Sequence, residues 1–211
     1  MRDIQKNVKL IISPHPDDEV LGCASILDKK TFVYYCGIDE KFVPPDPTHR
    51  IGMDKRLIEI EKVSKFFKFK YKVNYESYVN NYHIQHFIVK IEEIINKQKP
   101  DIIFIPHPGY NQDHKVIFSA SYIALRPHDK NFFVRKVLVY EAIHDMWSYE
   151  RFEANCYKWL DINKKIQGYK LHESQVRSFR SPEQMKALAR IRGWESGLDY
   201  AEAFQILRWV L

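Results

Sequence analysis

The sequence predicts an α/β fold in which a mainly parallel central sheet carries helices on both faces. Three observations support that prediction. Residues 8–13 and 101–106 are short, near-continuous apolar runs, the pattern of parallel strands buried on both sides. Segments with apolar residues at helical spacing separate such runs, so strand and helix alternate along the chain. The 211 residues, 45% of them hydrophobic, suffice for one sizeable core. With neither internal repeat nor low-complexity linker, they are expected to form a single domain over 1–211.

Residues 8–13 are the first strand, and DEVLGCASILDKK after it reads as a helix with Val20, Leu21, Ala24 and Leu27 on its inner face. The second strand is TFVYYCGI, 31–38. Three prolines in KFVPPDPTHR, 41–50, remove backbone donors and make that segment a loop. A helix over 52–67 places Met53, Leu57, Ile60, Val63 and Phe67 at helical spacing, and KYKVNYE is a short strand. The helix at 83–99 must end before Pro100, and 101–106 is the next strand. HPGYNQDHK is a polar loop leading into the helix VIFSASYIALR. VRKVLVYEAI is a further strand ending at HDMW, and YKWLDI suits a sheet edge. Roughly the last 45 residues are expected to be helical, from NKKIQGYKLHESQ through SPEQMKALARIRGW. Within them Ser181, Pro182 and Glu183 form a helix start, with serine as cap and proline in the first turn.

Composition excludes several classes. The 33 Lys and Arg against 27 Asp and Glu give a net charge of +6, spread along the chain rather than gathered in one block. No basic run or aromatic-basic motif stands out, so no nucleic-acid partner is expected, while an anionic small ligand fits the charge. Cys23, Cys36 and Cys156 are far apart and odd in number, which argues for buried, reduced thiols. No apolar run reaches the length of a membrane span or a signal peptide, so a cytoplasmic protein is expected.

Two strand-to-helix junctions carry the chemistry. In open α/β sheets ligands bind at the carboxyl ends of the strands. After the first strand comes His15-Pro16-Asp17-Asp18-Glu19, and after DIIFIP come His107 to His114. If both strands are central, His15, Asp17, Asp18, Asp113 and His114 meet in one cleft. Two imidazoles and a carboxylate suit a catalytic zinc ion with one open position for water. Of the adjacent Asp17 and Asp18, one can hold metal while the other takes a proton as general base. The competing account of the acidic run is a favourable first helical turn, stabilised by the macrodipole. A phosphoacceptor receiver domain also has an acidic pair after its first strand. It is much shorter, needs acceptor and lysine partners that are not evident here, and has no use for His15.

These residues resemble a known signature. PHPDDEVLG is similar to the first motif of the PIG-L/LmbE-like metal-dependent de-N-acetylases, and NQDHKVIFSAS to their second metal motif. DINKKIQGYKLHESQ and RGWESGLDYAEAF resemble later elements, so the likeness spreads from residue 13 to residue 204. The resemblance implies a Rossmann-like three-layer sandwich of LmbE type. It implies His15, Asp18 and His114 as metal ligands and Asp17 as the general base, with Glu19 a helix-start or supporting residue. Arg56 and Glu59 resemble a helical pair that lies near the site in this family, the alternative being an ordinary surface ion pair. Asp113 is expected to orient His114 or a neighbouring group.

One position departs from the pattern. Many relatives have a histidine three residues before the second metal histidine, and this chain has Asn111, which can donate a hydrogen bond but supply no proton. His107, Tyr110, His144 and His172 are the possible substitutes. The implied function is zinc-dependent removal of acetyl from an N-acetylated amino sugar or sugar conjugate, with another divalent transition metal as the alternative cofactor. The substrate is a small molecule, an anionic conjugate being compatible with the charge, and a homo-oligomer is open. The rival reading is a catalytically impaired, metal-containing carbohydrate-binding or regulatory protein of the same fold.

Overall fold

The computed structural model describes residues 7–40 and 51–211, so the proline-rich loop expected at 41–50 lies outside the described residues. Strands β1 (Lys9–Ser13), β2 (Thr31–Tyr35), β3 (Lys70–Val73), β4 (Ile102–Pro106) and β5 (Lys136–Tyr140) pair in parallel. Two antiparallel strands, β6 (Cys156–Trp159) and β7 (Ala201–Trp209), complete a seven-stranded sheet in the order β3-β2-β1-β4-β5-β7-β6. The three-layer, mainly parallel architecture is the expected one.

The helices are α1 (Asp18–Cys23), α2 (Met53–Phe67), α3 (Ile84–Gln98), α4 (Gln112–Ala124), α5 (Ile162–Lys170) and α6 (Pro182–Ser196). Side chains alternate across the strands, so Leu10 and Ile12 of β1 enter one core while Ile11 enters the other. The first core joins Ile103, Ile105, Val137 and Val139 to α3 and α4 through Phe87, Ile91, Ile117 and Ala120. The second joins Val33, Phe104 and Leu138 to α1, α2, α5 and α6 through Val20, Ile60, Tyr169 and Met185. With both faces covered, β1 and β4 have no polar face, which is why their sequences are continuous apolar runs.

Most element ends follow from local chemistry. Helix α6 begins as expected, with the Ser181 side chain accepting from the Gln184 amide and Pro182 in the first turn, and it ends at Gly197 in the left-handed region, φ 72°. Helix α1 stops at Cys23 instead of running to residue 30. The amides of Ala24 and Ser25 donate to the Glu202 carboxylate at 2.9 and 2.8 Å, which ends the helical ladder there. Gly22 in α1 is a packing requirement, because a Cβ there would stand 2.2 Å from the Tyr140 ring.

The helical expectation for the C-terminal region holds for α5 and α6 but not for β7. AEAFQILRW is rich in good helix formers, yet nine residues of it lie between β5 and β6 and bond to both. Tertiary pairing overrides weak intrinsic propensity here.

Strand order places β1 beside both β2 and β4, so the crossovers from β1 and from β4 depart in opposite directions. The crevice at the carboxyl ends of β1 and β4 is the topological switch point, where α/β sheets bind ligands.

Candidate metal centre

Both predicted motifs converge on that crevice. The loop after β1 is pinned from two sides: Ser13 Oγ donates to the His15 carbonyl at 2.7 Å, and Tyr82 Oη to the Pro14 carbonyl at 2.7 Å. The loop after β4 is shorter than the sequence suggests, because α4 begins at Gln112 and carries Asp113 and His114 in its first turn. Asn111 is the reason. Its side-chain oxygen accepts from the amides of Asp113 and His114, making it the helix cap.

Ligand-competent atoms of His15, Asp18 and His114 lie within 4.8 Å of one another. His114 Nε2 stands 3.2 Å and His15 Nδ1 3.4 Å from the same oxygen, Asp18 Oδ2. Two imidazole nitrogens aimed at one buried carboxylate oxygen are a donor set that fits a divalent transition metal. Asp113 Oδ2 takes the Asn80 amide at 2.7 Å and faces His15 Nε2 at 2.9 Å. That contact places the imidazole proton on Nε2 and leaves Nδ1 for a cation. Asp113 therefore orients His15, while His114 Nδ1 is buried without a hydrogen-bond partner.

The electrostatics agree with a cation site. Burial alone would lower the His15 pKa, but hydrogen bonds to Asp113 and Asp18 outweigh it and raise the group to about 9. Burial pushes the Asp18 carboxyl up, yet the charges of His114 and His15 hold it well below the usual carboxylate range.

Asp17 has a different environment from Asp18. It is the N-cap of α1 but makes no side-chain cap bond, so its carboxylate is not spent on the helix terminus. Its φ of 126° is rare for a residue with a side chain, and the conformation is held from below. The Asp17 amide donates to Glu19 Oε2 at 3.0 Å, and Glu19 Oε1 pairs with His172 Nε2 at 2.7 Å. Glu19 and His172 are both fully buried, so Glu19 does more than begin a helix. Asp17 Oδ2 accepts from Arg180 Nη1 at 2.8 Å, and Oδ1 is buried without a partner. Burial raises the Asp17 pKa, with the Arg180 charge opposing.

A cavity of about 750 Å³ opens over the cluster, with His15, Asp18, Asn111 and His114 in its lining. Asp17 is 1% exposed and is not part of that lining, whereas its partner Arg180 is. Of the possible substitutes for the absent histidine, Tyr110 and His144 line the cavity. The His144 ring meets His114 edge-on at 4.8 Å, and burial with the His114 charge lowers its pKa to about 4. His107 is turned away, accepting from the Gly109 amide at 3.2 Å, and His172 is spent on Glu19. Arg56 and Glu59 are not a surface pair. Both are buried, Arg56 bonding to Glu40 and Glu59 accepting from the Ser174 amide and hydroxyl. Sequence reasoning missed Arg180, which sits in a single 3-10 turn, Ser178–Arg180, with no motif around it.

Fold and site together define an α/β protein with a two-histidine, one-carboxylate cluster at its switch point. No family model matches the chain, and no curated protein matches it in sequence. Solved structures do match. N,N'-diacetylchitobiose deacetylase from Pyrococcus horikoshii, in complex with an inhibitor, superposes with a TM-score of 0.74 at 18% identity, over 96% of this chain and 84% of that one. The zinc-inhibited form of teicoplanin deacetylase Orf2 gives 0.72 at 16% identity, over 95% and 98%. GalB, the 4-carboxy-2-hydroxymuconate hydratase from Pseudomonas putida KT2440, gives 0.74 at 13% identity, over 97% and 98%. The chain thus has the fold of LmbE-like deacetylases, in agreement with the sequence resemblance. A hydratase shares that fold, so the activity must be argued from the site.

Proposed function

We propose that this chain is a metal-dependent hydrolase, one catalytic domain that removes acetyl from an N-acetylated amino sugar or sugar conjugate and releases acetate. The observation that carries the reading is the aim of His15 Nδ1 and His114 Nε2 at Asp18 Oδ2, with the uncommitted oxygen of Asp17 next in sequence. His15, Asp18 and His114 would hold the metal, zinc by ligand type. Such a cation activates water near neutral pH and polarises a carbonyl oxygen. Asp17 Oδ1 receives the proton of the attacking water and returns it to the departing amine nitrogen. Arg180 fixes the carboxylate through Oδ2, so the proton is carried on Oδ1. Asn111 is committed as a helix cap through its oxygen, so it offers the cavity only its amide donor and no acid.

An acetate-release screen over N-acetylhexosamines and their conjugates, with and without a chelator, tests the reading. Release that the chelator abolishes is expected. Sugar binding without release would favour a catalytically silent carbohydrate-binding protein. Turnover that survives complete metal removal would sink the metal-dependent reading.

A further inference from the structure

The cavity holds two guanidinium groups that differ in their commitments. Arg180 is engaged, donating to Asp17 and to Gln175 Oε1 at 2.8 and 3.3 Å. Arg177, three residues earlier, lines the same cavity with no hydrogen-bond or ion-pair partner among the described residues. Burial and the Arg180 charge both press its pKa down, yet a guanidinium stays protonated in a protein. The Arg177 side chain is exposed where it lines the cavity, its charge faces the like charge of Arg180, and the carboxylate that offsets it, Asp17, is already bonded to Arg180. The acidic charge in the cavity lining is that of Asp18, which is taken up by two imidazoles. Gln184, in the first turn of α6, lines the cavity beside these arginines, and its side-chain oxygen is buried without a partner. Of the two, the Gln184 oxygen is the buried group that calls for a partner, while Arg177 offers the cavity an exposed, unpaired charge.

We propose that Arg177, with Gln184 beside it, forms a subsite for an anionic group on the substrate, a phosphate or a carboxylate attached to the sugar. This rests on the deacetylase reading for the sugar half alone. A volume of about 750 Å³ is in the range of pockets that enclose a drug-sized ligand, so it has room for a conjugate beyond a single sugar ring. Arg177 would bind the anion through charge-assisted, bidentate hydrogen bonds. Gln184 would accept from a hydroxyl next to it.

Calorimetry on the full chain with glucose 1-phosphate and methyl glucoside tests the subsite. Neither probe carries an acetamide, so the result is independent of acetate release, and failure of one reading leaves the other standing. The phosphorylated sugar should bind about tenfold to a hundredfold more tightly. Arg177→Gln should remove most of that preference, and Arg177→Lys should keep part of it as a point charge without the planar fork. The preference should hold for both metal-loaded and chelator-treated protein. Equal binding of the two probes, a preference that survives Arg177→Gln, or one that vanishes with the metal would each overturn the proposal. Unfolding curves of the variants provide the control for folding.

Discussion

Asp113 holds His15 across 98 residues of sequence, its Oδ2 lying 2.9 Å from the imidazole Nε2. One carboxylate thereby ties the helix after β4 to the loop after β1 and sets which nitrogen of His15 faces Asp18. Supporting carboxylates of this kind typically contribute about 10- to 100-fold in metal affinity. Asp113→Ala should therefore weaken metal binding by about that factor in a chelator competition, with the far-ultraviolet circular dichroism unchanged. Undiminished affinity would show that His15 needs no such support.

Metal uptake should depend on pH with a definite sign. Without metal, His15 is protonated below a pKa of about 9, and the proton must leave before Nδ1 can bind a cation. Apparent affinity should fall about tenfold for each unit that the pH is lowered between 8 and 6. A chelator competition corrected for the chelator's own protonation measures this slope. The metal-free protein should respond in the opposite sense. A pKa raised above the ordinary 6.5 contributes stability that is fully present below 6.5 and is lost as pH rises through about 9.

Asp17→Asn isolates the proposed base. Asn matches Asp in size and shape, so the backbone at Asp17, φ 126° and held by the Glu19 carboxylate, should survive the change. The side-chain oxygen can still accept from Arg180. The proton-accepting oxygen is lost, and acetate release should fall by about 100- to 10,000-fold while metal content by elemental analysis stays at the wild-type ratio. A variant with the wild-type rate would remove Asp17 from the mechanism.

What could be read before the structure and what could not divide along physical lines. The runs at 8–13 and 101–106 announced parallel strands because both of their faces are buried, so no polar alternation blurs them. The convergence of His15, Asp18 and His114 was legible because His15 and Asp18 follow β1 within five residues and His114 lies on the connection that leaves β4, eight residues beyond Pro106. The helical start of His114 was hidden, since it depends on Asn111 acting as a cap rather than as a site residue. Strand β7 was misread because its partners, β5 and β6, are distant in sequence and its own residues favour helix. Arg180 and the Glu19–His172 pair left no local trace, because their roles come from contacts spanning 163 and 153 residues.

Glu202 provides a test of the scaffold behind the site. It belongs to β7, and its carboxylate accepts the amides of Ala24 and Ser25 together with Lys165 Nζ at 2.7 Å. Lys165 also donates to the Leu21 carbonyl at 2.6 Å, so one buried ion pair joins β7, the end of α1 and α5. Breaking a buried pair by removing one partner leaves an uncompensated charge and costs about 3–5 kcal/mol, whereas replacing both partners with apolar groups costs much less. Glu202→Ala also strips the two amides that end α1, so its cost should lie at the upper end of that range in urea unfolding. Lys165→Met combined with Glu202→Gln should recover part of the loss, since an amide can still accept from Ala24 and no buried charge remains. A Glu202→Ala loss below about 1 kcal/mol, the scale of an exposed pair, would mean that water reaches Lys165 and that the pair does not lock the end of α1.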